Sequence, residues 1–106
     1  MNWIKIFENY QEAQKIIPEG AIKKVRIMDR KMCLAMQRNK LFAFEANCPH
    51  MDYPLEESSI NPQMEIVCPW HSYRFSLLSG GEASSRSRDL AVFPIVKRED
   101  GIYIRL

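Results

Sequence analysis

Both histidines of this chain, and two of its three cysteines, fall in two short segments, Cys48-Pro49-His50 and Cys68-Pro69-Trp70-His71. The spacing is Cys-x-His, 17 residues, then Cys-x-x-His. Each segment offers one thiolate and one imidazole. Four such ligands can close one tetrahedral site, or fill the outer coordination of two metal ions. Thiolate suits zinc and iron–sulfur clusters, while imidazole suits zinc, iron and copper. Spacing alone does not choose among them. Nucleophilic catalysis by a Cys–His pair is a third possibility, but it would use one pair and leave the matching pair without a task. Cys33, inside Met32-Cys33-Leu34-Ala35-Met36, reads as a small buried hydrophobe.

The elements that must hold these segments are strand-sized. Trp3-Ile4-Lys5-Ile6-Phe7 alternates apolar and polar residues and predicts a first strand. Glu8 to Ile17 predicts a short helical stretch with Tyr10, Ala13 and Ile17 on one face, ended by Pro18-Glu19-Gly20. Lys24 to Ile27, Met32 to Met36 and Leu41 to Phe44 then read as an antiparallel meander, with turns at Asp29-Arg30 and Arg38-Asn39-Lys40. The first Cys-His segment follows at once. Glu65-Ile66-Val67 is a brief strand feeding the second segment, and Tyr73 to Leu77 alternates again before a Ser79-Gly80-Gly81 turn. Glu82 to Arg88 is Ser/Arg-rich and reads as a solvated surface loop. Val92 to Val96 and Ile102 to Ile104 flank a turn at Glu99-Asp100-Gly101, a closing hairpin in which Pro94 demands an edge or bulge position. Short strands at short spacing predict an all-β sandwich or small barrel.

Composition narrows the function classes. A length of 106 residues suits one domain, and a formal charge of +2 gives no case for nucleic-acid binding. No apolar run approaches the roughly 18 residues of a membrane span. The opening Met1-Asn2-Trp3-Ile4-Lys5 has no signal-peptide character. Three cysteines make no disulfide framework, and in a reducing compartment paired Cys and His at short spacing point to metal. A cytoplasmic, non-membrane, monomeric protein is expected. Between Cys48 and Glu82 five acids face one base, a net −4 that leaves +6 for the remainder, so an acidic tip on a basic body is expected.

The residues flanking the ligands carry a resemblance. Cys48-Pro49-His50-Met51-Asp52-Tyr53-Pro54-Leu55 and Cys68-Pro69-Trp70-His71-Ser72-Tyr73-Arg74-Phe75 resemble the two cluster-binding motifs of Rieske proteins. The soluble ferredoxins of aromatic-ring dioxygenase systems are the nearest in detail. The likeness extends over the meander, the Ser-Gly-Gly turn and the terminal hairpin. It implies an antiparallel Rieske β-sandwich over residues 1–106, with a small cluster-binding subdomain of two loops at about residues 46–82. It implies a 2Fe–2S cluster, with Cys48 and Cys68 on one iron and His50 and His71 on the other. Two positions depart from the family, which usually has glycine at Asp52 and at Ser72. Others point to the kind of Rieske protein. Met51 and Trp70 stand where high-potential relatives carry two bridging cysteines. Tyr73 and Phe75 stand where those relatives carry a Ser and a Tyr whose hydroxyls bond to the cluster sulfurs. A low-potential, disulfide-free centre is expected.

With all four ligands committed, no open position for substrate is left, and no histidine is spare for an oxygenase iron site. The resemblance therefore implies an electron-transfer protein, not a catalyst. Its donor would be a flavin-containing reductase drawing on a nicotinamide nucleotide, and its acceptor a terminal oxygenase. An alternative is the small Rieske-like subunit of an assimilatory nitrite reductase. A zinc-stabilised binding module is the third reading.

Overall fold

The computed structural model describes residues 2–49, 52–70 and 72–106. Their elements run β1 (Trp3–Phe7), α1 (Tyr10–Ile16), β2 (Ile22–Ile27), β3 (Arg30–Gln37), β4 (Lys40–Glu45), a 3-10 turn (Leu55–Glu57), β5 (Ser59–Ile60), β6 (Glu65–Val67), β7 (Arg74–Ser76), β8 (Val92–Phe93), β9 (Ile95–Arg98) and β10 (Gly101–Arg105). They form three antiparallel sheets, ordered β1-β10-β9, β2-β3-β4-β8 and β5-β6-β7.

Strand β3 explains why there are two cores. Its residues Met32 to Met36 are all buried, and side chains alternate across a strand. Met32, Leu34 and Met36 enter one core with Leu41, Ala43, Phe7, Ala13, Ile17, Ile102 and Ile104. Cys33 and Ala35 enter the other, with Phe44, Leu55, Ile66, Phe75, Leu77 and Leu90, and with the ligand candidates Cys48 and Cys68. One face of the central sheet thus packs on β1-β10-β9 as a sandwich. The other face carries the small sheet and the two Cys-His loops. A strand covered on both faces loses the polar alternation of a half-buried one, hence its unbroken apolar run.

Turn chemistry sets the register. Met28 and Asp29 both have positive φ, 50° and 64°, as do Arg38 and Asn39, at 53° and 60°. Two-residue loops of this kind match the right-handed twist of the flanking strands. Ile27 therefore pairs with Arg30, and Gln37 with Lys40. The first turn lies one residue earlier than expected, and the meander strands run one to two residues longer at each end, except the fixed C-terminal end of β2. Helix α1 is capped by Asn9, whose side chain accepts the Glu12 amide at 2.8 Å. Ala13 and Ile17 are buried and Tyr10 packs against the same core, the face expected.

The run Val92 to Val96 is not one strand. β8 pairs with β4, whereas β9 pairs with β10, so the chain changes sheets at Pro94. Proline has no N–H for a ladder, and the position between two sheets is where none is needed. The Pro94 carbonyl still accepts the Arg105 amide at 3.0 Å. Among the described residues, no helix is long and apolar enough to cross a membrane.

Candidate metal centre

The two ligand segments differ by one residue in spacing, yet they share a backbone frame. The Cys48 N–H donates to the Tyr53 carbonyl at 2.8 Å, and the Cys68 N–H donates to the Tyr73 carbonyl at 2.8 Å. Each bond spans five residues. In each loop the fourth residue after the cysteine is left-handed: Asp52 at φ 56° and Ser72 at φ 54°. These are the two positions where glycine was expected from the resemblance. A side chain there costs about 1–2 kcal/mol in backbone strain. Asp52 offsets part of it, since its carboxylate accepts the Asn47 amide at 2.9 Å and its N–H donates to the Cys48 carbonyl at 2.7 Å. His50 and His71 lie outside the described residues, as does Met51.

The frame brings the two cysteines together. Both are buried, and they share one core cluster. Burial pushes the Cys68 thiol up to about 11; the Trp70 backbone N–H directed at its sulfur opposes this, and the adjoining Cys48 thiol reinforces it. The Cys68 thiol therefore resists ionisation in this pocket. Paired thiols of this kind suit a soft metal. Leu55 and Phe75 floor the pocket, both fully buried, whereas Trp70 is 48% exposed. Cys33 behaves as expected: it is fully buried, and burial raises its thiol to about 12.

One expectation fails. The Glu82 to Arg88 segment is not simply a solvated loop, because Glu82 is buried. Its carboxylate accepts Ser84 N–H at 3.1 Å, Arg86 N–H at 2.8 Å, Arg86 Nε at 3.2 Å and Arg86 Nη2 at 3.0 Å. A composition rich in Ser and Arg hides this, since each donor looks like a surface residue. The only signal was the Glu-x-x-x-Arg spacing. The same contacts revise the charge picture. Glu82 pairs with Arg86, Glu65 with Arg74 and Glu56 with Lys24, so most of the tip's acids have local partners.

The Arg86 guanidinium, with the two amides, holds the Glu82 carboxyl down at about 2 from its ordinary 4.5. A folded-state value below the unfolded one contributes stability above 4.5, and that contribution is lost as pH falls toward 2. Wild-type urea midpoints should therefore drop between about pH 5 and about pH 3 by more than those of Glu82→Gln. Parallel curves for the two proteins would refute this origin of acid sensitivity.

Comparison with known proteins places this geometry. A nitrite reductase [NAD(P)H] of Emericella nidulans is 30% identical over an 89-residue alignment that covers 74% of this chain and 8% of that protein, so the chain spans a small part of that relative. Among solved structures, a complex of reduced oxygenase and oxidised ferredoxin in carbazole 1,9a-dioxygenase superposes with a TM-score of 0.73 at 25% identity, over 96% of this chain and 91% of the matched one. The ferredoxin of carbazole 1,9a-dioxygenase from Nocardioides aromaticivorans IC177 superposes with a TM-score of 0.78 at 14% identity, over 98% and 97%. The Rieske [2Fe-2S] domain family matches residues 7–94, which contain both cysteine loops and every strand of the central sheet, and this chain belongs to that family.

Proposed function

We propose that this chain is a one-electron carrier whose Rieske-type 2Fe–2S cluster is held by Cys48 and Cys68 on one iron and by His50 and His71 on the other. The observation that carries the reading is the shared loop frame, which sets two buried cysteines side by side, each at the start of a segment that continues to a histidine. When bound, the cluster supplies reversible one-electron chemistry. The protein's own residues do the rest. Cys48 and Cys68 would hold one iron as thiolates, their protons released to solvent. Leu55, Phe75 and Ile66 exclude water from the inner side. The Trp70 backbone N–H, aimed at the Cys68 sulfur, stabilises negative charge there.

The potential follows from what the second loop lacks. Hydrogen bonds to cluster sulfurs raise the potential, and Phe75 has no hydroxyl to give. Protein-film voltammetry is expected to give a value near the low end of the Rieske range, about −150 mV, and a value near about +300 mV would refute it. Dithionite reduction should bleach the visible bands and produce the paramagnetic signal of a reduced 2Fe–2S centre. A colourless protein holding zinc and no labile sulfide would overturn the whole reading.

For partners, the reading is a flavin-containing reductase as donor and a terminal oxygenase as acceptor, in the cytoplasm. The support is the likeness to proteins of the carbazole dioxygenase system. A role as the Rieske component of a nitrite reductase is the second reading, favoured by the Emericella relative. Stopped-flow mixing of the reduced chain with an oxygenase component separates the two. Rapid reoxidation supports the first, whereas co-purification with a large reductase subunit supports the second.

A further inference from the structure

The segment from Glu82 to Leu90 carries no ligand, yet it fastens both ligand loops. At its start, Glu82 bridges to Phe75 and the Ala83 N–H donates to the Arg74 carbonyl at 2.9 Å. At its end, Leu90 is buried in the core beneath the loops, and its N–H donates to the Gly80 carbonyl at 2.7 Å. Between these anchors stand two arginines with different targets. The Arg86 guanidinium lies 3.9 Å from the centre of the Tyr73 ring. Tyr73 is the residue whose carbonyl closes the second loop on the Cys68 amide. Arg88 makes a two-pronged contact with Glu45, Nη1 to Oε1 at 2.8 Å and Nη2 to Oε2 at 3.0 Å. Glu45 ends β4, and the next two residues, Ala46 and Asn47, pair with Leu55 and Pro54 across the first loop.

Arg86 is fixed before it reaches its target, and the target of Arg88 is itself fixed. Glu82 takes four hydrogen bonds from residues 84 to 86, so the Arg86 fork is already oriented when it covers Tyr73. Glu45 likewise accepts the Ala91 amide at 2.8 Å while holding Arg88. Planar, forked guanidinium suits stacking and bidentate pairing in a way an ammonium does not.

We infer that the Glu82–Leu90 segment is a clasp that holds the two ligand loops in register for the cluster, with Arg86 and Arg88 as its positioning residues. Arg86 holds the second loop and Arg88 the first. This inference rests on the cluster reading above.

The test follows the loaded protein's visible band in excess chelator, together with the paramagnetic spectrum after reduction. Arg86→Ala is expected to lose its cluster about two- to fivefold faster than wild type, as loss of a surface cation–π contact implies. Its g-values should shift, a readout that a general loss of stability does not move. Arg88→Ala should act on its own loop, so that the double variant shows the product of the two rate increases. Arg86→Lys keeps the charge and should recover only part of the lifetime; it also decides the matter if Arg86→Ala does not fold. Lys97→Ala, a charge-matched change on β9, should leave lifetime and spectrum as in wild type. A loaded wild type alongside arginine variants of equal lifetime and unchanged g-values overturns the clasp alone. A wild type that takes up no cluster overturns the parent reading and the clasp with it.

Discussion

Replacing Cys68 with serine is expected to abolish the cluster, leaving a colourless protein without labile sulfide that keeps its sandwich. The expectation has two grounds. An alcohol oxygen is a poor substitute for soft thiolate in an iron–sulfur site. The side chain is also fully buried, so the new hydroxyl must find a partner or cost about 1–3 kcal/mol. The loss should be local, because β1, β9, β10 and α1 pack on the opposite face of the central sheet, in a separate core. Far-UV circular dichroism should keep its strand signal while the visible spectrum vanishes. Cys48→Ser should match it. Cys33→Ala is the control: this cysteine is equally buried, lies in the same core, and should leave the colour intact. Colour retained in Cys68→Ser, or lost in Cys33→Ala, would move the ligand assignment.

Much of this site was legible in the sequence because its chemistry is concentrated. Four soft or borderline candidate ligands in two short segments, with both histidines among them, are a pattern that metal binding explains. The loop frame was not legible. Cys-x-His and Cys-x-x-His read as unequal, and only the backbone bonds to Tyr53 and Tyr73 show that the loops close alike. The departures at Asp52 and Ser72 make sense in that light: the left-handed angle is kept without glycine, at some cost in strain. Glu82 and Arg86 were invisible for a different reason. The burial of Glu82 and the placement of Arg86 depend on contacts with Phe75 and Tyr73, partners about ten residues away, which no local pattern encodes.

The fold divides the same way. Period-two runs located β1, β2 and β7, since a half-buried strand writes its alternation into the sequence, while short apolar runs bounded by turns located β3, β4, β6 and the closing hairpin. β5 escaped because two residues cannot show a period. The sheet switch at Pro94 escaped because two short strands in line look like one. The two-core arrangement was implicit in Met32 to Met36 but needed the second sheet to be read, since a fully apolar run does not say what covers each face.

A single methyl group at Gly80 should destabilise the protein more than most core truncations. Gly80 has φ +81°, and a Cβ built there would lie 1.9 Å from the Leu90 carbonyl oxygen and 3.0 Å from its carbonyl carbon. Those are backbone atoms, so no rotamer change relieves the contact. The approach is also fixed from both sides: Gly80 N–H donates to the Ser76 carbonyl at 2.8 Å, and its own carbonyl accepts Leu90 N–H at 2.7 Å. Relief must come from moving Leu90, which is 1% exposed and anchors the Glu82–Leu90 segment beneath the ligand loops. Gly80→Ala is therefore expected to cost at least about 4 kcal/mol, in the range reserved for lost core packing and backbone strain. Gly20→Ala separates the causes. Gly20 has nearly the same angle, φ +83°, but nothing lies within 4 Å of its Cβ position. It should cost only the conformational share, about 1–2 kcal/mol. Urea midpoints of the two variants measure the difference directly, and equal losses would show that backbone angle alone sets the cost. A large gap, with faster cluster loss only in Gly80→Ala, would show that the close approach of this turn to Leu90 is what keeps the clasp seated under the metal centre.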